Sequence, residues 1–137
     1  MESSQEANTA FQGALLTTAY VVTALVTIAA NTFSGFAAIT RLEPIMRTLG
    51  PALKTAGVPE SWLVFPIGVL KVAGALGLAL GLLGVPPIGT AAAAGLILYF
   101  VCALYTHLRV SDFSPMFFLA IGFLGLAAAT LALDLLR

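Results

Sequence analysis

The sequence predicts an all-α protein: a four-transmembrane-helix bundle with a short amphipathic interfacial helix between helices 1 and 2. Three observations carry that expectation. Of 137 residues, 60% are apolar and 9% charged, which a water-soluble domain of this size could not hide from solvent. Four stretches with few or no charges each reach the roughly 20 residues that cross a bilayer core. Between them stand proline, glycine and basic residues, the punctuation of connections rather than of spans.

Residues 1–14, MESSQEANTAFQGA, are polar and hold Glu2 and Glu6 but no basic residue, unlike the positively charged start of a secretory signal. They are expected as a disordered tail, with 15–137 forming one four-helix membrane domain. The first span, Leu15 to Ile39, is free of charge and long enough to cross with some tilt. Its later half carries Asn31, Thr32, Ser34 and Gly35. Thr32 and Ser34 are expected to bond back to their own backbone. The Asn31 amide has more hydrogen-bonding capacity than its own helix can absorb, so it marks a helix contact or a site.

From Thr40 to Ser61 come Arg41, Arg47 and Lys54 with Pro44, Pro51 and Pro59. Leu42, Ile45, Met46, Leu49 and Leu53 recur at helical spacing opposite Arg47 and Lys54, the pattern of a short surface helix interrupted near Gly50-Pro51. It is read as a connector that seats the helix ends, with a lid as the alternative. The second span, Trp62 to Leu83, holds Lys71 near its middle. A charge at that depth costs about 2.5 to 3.5 kcal/mol even on lenient scales, so Lys71 must face protein or water.

Gly84 to Pro87 forms a tight turn into a third span, Ile88 to Leu108, and after R-V-S-D-F-S-P a fourth runs from Met116 to Leu136. Asp134 and Arg137 lie three apart near an interface, where they are solvated or paired locally. Gly77 and Gly81, Ala91 to Gly95, and Gly122 with Gly125 supply close-approach faces. Arg41, Arg47, Lys54 and Arg109 lie on the two odd connections against Arg137 on the other side. The positive-inside rule then places both termini outside the cytoplasm.

Depth arithmetic assembles a candidate site. Counted inward, Asn31, Lys71 and Tyr99 all fall about 12 to 14 Å from the cytoplasmic ends of their spans, so they can share a layer. Asp134 lies roughly 15 Å further along, too far for an ion pair with Lys71. Glu60 and Lys71 share a face if the helix is regular through Pro66. Tyr99, Cys102, Thr106 and His107 form a stripe on the third span that sets His107 level with Glu60. Lys71, His107 and Glu60 are therefore the candidate acid-base groups, and Asn31, Tyr99 and Thr106 the candidate ligand contacts, of a polar pocket facing the cytoplasmic interface. Tyr105 is expected in an aromatic belt.

The composition also excludes chemistry. One His, one Cys and carboxylates at membrane edges build no metal site, and the chain has no phosphate loop, no Ser/His/Asp set and no paired haem histidines. No cofactor is expected. Cys102 has no intramolecular partner and is expected as a small buried packing residue. With Lys plus Arg balancing Asp plus Glu and no basic run, nucleic acid is not a partner.

The runs G-V-P-E-S-W-L (57–63), L-K-V-A-G-A-L-G-L-A-L-G-L-L (70–83), P-P-I-G-T-A-A-A-A-G-L-I-L-Y-F (86–100) and A-L-Y-T-H-L-R (103–109) resemble the DoxX-like family of small four-helix membrane proteins. The resemblance covers residues 15–134. It implies a multi-pass protein of a bacterial cell membrane and points to Lys71 and His107 as pattern positions. Where it implies an acidic residue in the second span, this chain has Lys71. It also implies company: a quinone-linked oxidoreductase, an oxidative-stress complex, membrane-protein assembly or a biosynthetic gene cluster. Three functions are expected to compete. One is an accessory protein whose pocket takes a lipophilic, quinone-like molecule. The second is a small enzyme doing acid-base work on an apolar substrate, such as epoxide opening, isomerisation or cyclisation. The third is an assembly partner using its Gly/Ala faces. Membrane lipid, a lipophilic small molecule and a second copy or a partner membrane subunit are the expected company.

Overall fold

The computed structural model describes residues 1–40, 51, 53, 54 and 57–137, the side chains of Glu60, Leu63 and Val64 excepted. Among the described residues four long α-helices carry the fold: α1 (Glu2–Thr40), α2 (Val69–Leu83), α3 (Pro86–Arg109) and α4 (Pro115–Leu136). A 3₁₀ turn (Glu60–Leu63) and a π-helical turn (Val64–Gly68) lead into α2. Four segments, Glu2–Thr40, Phe65–Leu83, Pro86–Arg109 and Pro115–Leu136, are long and apolar enough to cross a membrane. Their large side chains, Phe33, Leu76, Leu98 and Phe118 among them, are exposed on the outside of the bundle, as acyl chains require.

Each helix packs on its neighbours in chain order, and α4 closes the ring on α1. The short connections 84–85 and 110–114 make α2 antiparallel to α3 and α3 antiparallel to α4. The expected turn is built by Gly84, whose φ of 127° ends α2, and by Pro86, which follows the N-cap Val85 at the first position of α3, the glycine-then-proline order favoured between helices. α4 opens the same way, with extended Ser114 ahead of Pro115.

The small residues are used unequally. A Cβ on Gly81 would stand 2.6 Å from the Gly89 Cα, and one on Gly77 2.6 Å from the Ala92 Cβ. The G-x-x-x-G of the second span therefore seats α2 on α3 within the chain. Gly95, Gly122 and Gly125 meet nothing within 4 Å and take no part in that packing.

Two expectations change. The tail expected to be disordered is helical, continuing α1 to Glu2 with its residues exposed. Its helix carries itself by local hydrogen bonding such as Thr9 Oγ1 to the Gln5 carbonyl, 2.9 Å. The second span is not one regular helix from Trp62: Phe65 is extended, with φ −139° and ψ 130°, the conformation imposed on a residue before proline. α2 begins only at Val69. The expected surface helix falls on 40–61, of which 41–50, 52, 55 and 56 lie outside the described residues.

Candidate functional site

One large cavity, about 650 Å³, opens between the 110–114 end of the bundle and its middle. Leu53, Val58 and Trp62 of the first connection, Leu70 and Lys71 of α2, Tyr99 to His107 of α3 and Met116 to Phe123 of α4 contribute to its wall. The surface is overwhelmingly apolar. Its polar groups fall into two clusters.

The inner cluster is Lys71. The ammonium donates to Ser34 Oγ at 2.7 Å and lies 5.4 Å from the Phe123 ring centroid, 5.7 Å from Phe100 and 5.9 Å from Tyr99. These are distances at which a ring face still attracts a cation. No carboxylate pairs with it among the described residues. Gly35 makes the arrangement possible: its Cβ would stand 2.9 Å from the Gly68 carbonyl oxygen and 3.1 Å from the Lys71 Cβ. Only a glycine lets α1 and α2 close enough for Lys71 to reach Ser34.

Lys71 is thus in the first turn of α2, not mid-helix, because the kink at Phe65 and Pro66 moved the helix start. Its contacts nevertheless sit well inside. Ser34, Phe123 and Phe100 are six to nine residues from the ends of their helices, about 9 to 14 Å along the axis.

The outer cluster is His107 with Asp112. His107 Nδ1 and Asp112 Oδ2 are 2.8 Å apart, while the Ser114 amide donates to Asp112 Oδ1 at 3.1 Å. Both side chains are mostly buried and both line the cavity. The His107 ring is held edge-on to Phe117, centroids 6.0 Å apart. Partial burial alone would raise the Asp112 carboxyl. The hydrogen bond from the Ser114 amide, with the His107 contact, outweighs it and holds the group below its ordinary 3.8. A carboxylate on Nδ1 favours the imidazole tautomer with its proton there. Nε2 then remains an acceptor, with no hydrogen-bond partner among the described residues.

The structure brings some of the expected residues together and separates others. Lys71, Tyr99, Thr106 and His107 share the cavity, with the Thr106 hydroxyl donating back to the Cys102 carbonyl at 2.9 Å. Asn31 does not join them. It is fully buried in the bundle, where Nδ2 donates to the Thr27 carbonyl at 2.9 Å and Oδ1 has no partner, next to a Thr27–Thr130 hydroxyl contact of 3.0 Å between α1 and α4. The side chain of Glu60 lies outside the described residues, and the break at Phe65 removes the regular helix that would have put it on the Lys71 face. Arg41 also lies outside them. Cys102 is exposed, not buried, because it lines the cavity wall beside the exposed Leu98.

Two site residues were missed. Ser34, expected to bond its own helix, accepts from Lys71 instead. Asp112 sat in a segment read only as a break, although an Asp two residues before Ser114-Pro115 carries the signature of a side chain that receives a turn amide.

At the far end, Asp134 is 8% exposed. It accepts from the Thr90 hydroxyl and from Arg137 Nε and Nη2 at 3.2 and 2.9 Å. The Arg137 guanidinium lies 4.1 Å over the buried Tyr20 ring. The local pairing expected of Asp134 and Arg137 is therefore also a tie among α1, α3 and α4, distinct from the Lys71 cavity.

The family model described as the DoxX-like family matches residues 10–131 of the chain. No curated protein and no solved structure matches it.

Proposed function

The chain belongs to the DoxX-like family, and from that premise we propose that it is a membrane accessory protein whose cavity binds a lipophilic, quinone-like molecule by a hydrogen-bond-accepting head placed at Lys71. The observation that carries this reading is an ammonium with no carboxylate partner among the described residues, aimed into an apolar cavity of about 650 Å³. A volume of that size falls in the range of small-molecule sites, which are apolar with few convergent polar groups. An unpaired cation in such surroundings is costly, and an accepting ligand group offsets the cost. The resemblance supports a companion redox or biosynthetic system as the setting, in a bacterial cell membrane with the cavity mouth on the cytoplasmic side.

The acid-base enzyme remains the second reading, favoured by His107 held on Asp112 at 2.8 Å, the arrangement of a base and the group that orients it. The assembly-partner reading has less to stand on, because Gly77 and Gly81 are consumed by α3 of the same chain.

The test uses the full chain in lipid nanodiscs with a photoreactive alkyl quinone. The wild type should be labelled on cavity residues of α3 and α4, and Lys71→Met should reduce labelling at least about tenfold, the loss of one good polar contact. Equal labelling of the two proteins, or labelling spread evenly over the outer lipid face, would show that the cavity is not the binding site.

A further inference from the structure

We propose that the cavity recognises a two-headed lipophile: beyond the accepting head at Lys71, the ligand carries a hydroxyl of phenolic or enolic type that donates to His107 Nε2, with Asp112 as the positioning residue. This rests on the cavity reading above and adds the chemistry of the ligand's other end. Three features of the site lead to it.

The first is that both polar clusters line one cavity yet are not neighbours. Lys71 lies against Phe100, and His107 is seven residues further along α3, about 10 Å by helical rise. A molecule with a single polar head satisfies one cluster and leaves the other facing hydrocarbon. The second is the tautomer. Asp112 Oδ2 takes the Nδ1 side at 2.8 Å, and Asp112 is itself fixed by the Ser114 amide at 3.1 Å, so the pair is preset with Nε2 as an acceptor. Lys71 has only protons to offer. The two clusters therefore ask for opposite functions, an acceptor at the inner end and a donor at the outer. The third is confinement. His107 is 14% exposed in its side chain and packed edge-on to Phe117, and an acceptor so placed strengthens discrimination against a ligand that lacks the donor.

A hydroxyl answers the outer cluster better than an amine or a carboxylic acid. A protonated amine would bring a second cation into a cavity that already holds Lys71. A carboxylate has no proton to give, and its charge would face Asp112.

The experiment uses the full chain in nanodiscs and two probes: an ω-(hydroxyphenyl)alkanoic acid whose phenol and carboxyl stand about 10 Å apart, matching the helical spacing, and its phenol methyl ether. The wild type should bind the phenol at least about tenfold more tightly than the ether, as expected of a site built to pair a ligand hydroxyl. His107→Phe, which keeps an aromatic ring beside Phe117, should bring the two affinities together by weakening the phenol alone. Asp112→Asn should narrow the gap in the same direction, and Lys71→Met should weaken both probes equally. The chain has one histidine, so ¹⁵N-histidine labelling reports a single imidazole. Its Nε2 resonance should move with the phenol and stay with the ether, a response that a merely structural histidine would not give.

Equal binding of phenol and ether by the wild type, both dependent on Lys71, overturns the two-headed ligand and leaves the cavity reading intact. A phenol preference that survives His107→Phe overturns it as well. Failure of both probes to bind, or binding indifferent to Lys71→Met, overturns both readings together.

Discussion

At the scale of single residues, Lys71 is a costly group where it stands. Lys71 is held by one hydroxyl and three ring faces, none of which replaces a counter-ion. Lys71→Met removes the desolvated charge and keeps the side-chain length, so this variant should melt at a higher temperature than the wild type in the same detergent. The upper bound is the roughly 2.5 to 3.5 kcal/mol that insertion scales assign to a lysine at mid-membrane. A lower melting temperature would mean that the ammonium holds the fold together. The lysine was legible in the sequence because a charge inside an apolar run has no innocuous explanation. Its partner was not: Ser34 is one of several small hydroxyl residues in α1, and which of them faces α2 depends on the crossing at Gly35. Asp112 escaped for the opposite reason. A carboxylate in a loop has many ordinary roles, and only its meeting with His107 gives it another.

Elements show where small residues matter. Gly81 and Gly122 look alike in the sequence, since each stands in a Gly/Ala-rich span. In the fold, a Cβ on Gly81 collides with the α3 backbone at Gly89, whereas one on Gly122 meets nothing. Gly81→Ala should therefore cost about 1 to 3 kcal/mol, as overpacking does, while Gly122→Ala should be neutral or slightly stabilising through helix propensity. Thermal unfolding in one detergent compares them directly. Similar losses at both positions would place α4 in a contact the monomer does not contain. The span lengths were readable because each must cross the same hydrocarbon thickness. The start of α2 was not, since Pro66 allows either a bent helix or a break, and the extended backbone at Phe65 chose the break.

The whole molecule is a ring of four helices closed at one end by a polar tie and opened at the other by a cavity. Thr90, Asp134 and Arg137 with Tyr20 hold α1, α3 and α4 together at the closed end. Asp134→Asn keeps the shape but removes the charge that balances Arg137, and should cost about 1 to 3 kcal/mol, the range for a partly buried charged hydrogen bond. It should leave probe binding at Lys71 unchanged. Loss of binding with retained stability would mean that the two ends communicate. Composition and length alone determined that this chain is an integral membrane protein with four spanning helices, because the bilayer imposes one apolar length on every crossing and forbids unpaired backbone within it. The tertiary structure alone decided that Lys71 meets Ser34 and not Asn31, that His107 is held by Asp112, and that the glycines of α2 pack inward while those of α4 do not. The physical reason is that lipid sets how long a helix must be and says nothing about its rotation, which the close approaches at Gly35, Gly77 and Gly81 settle.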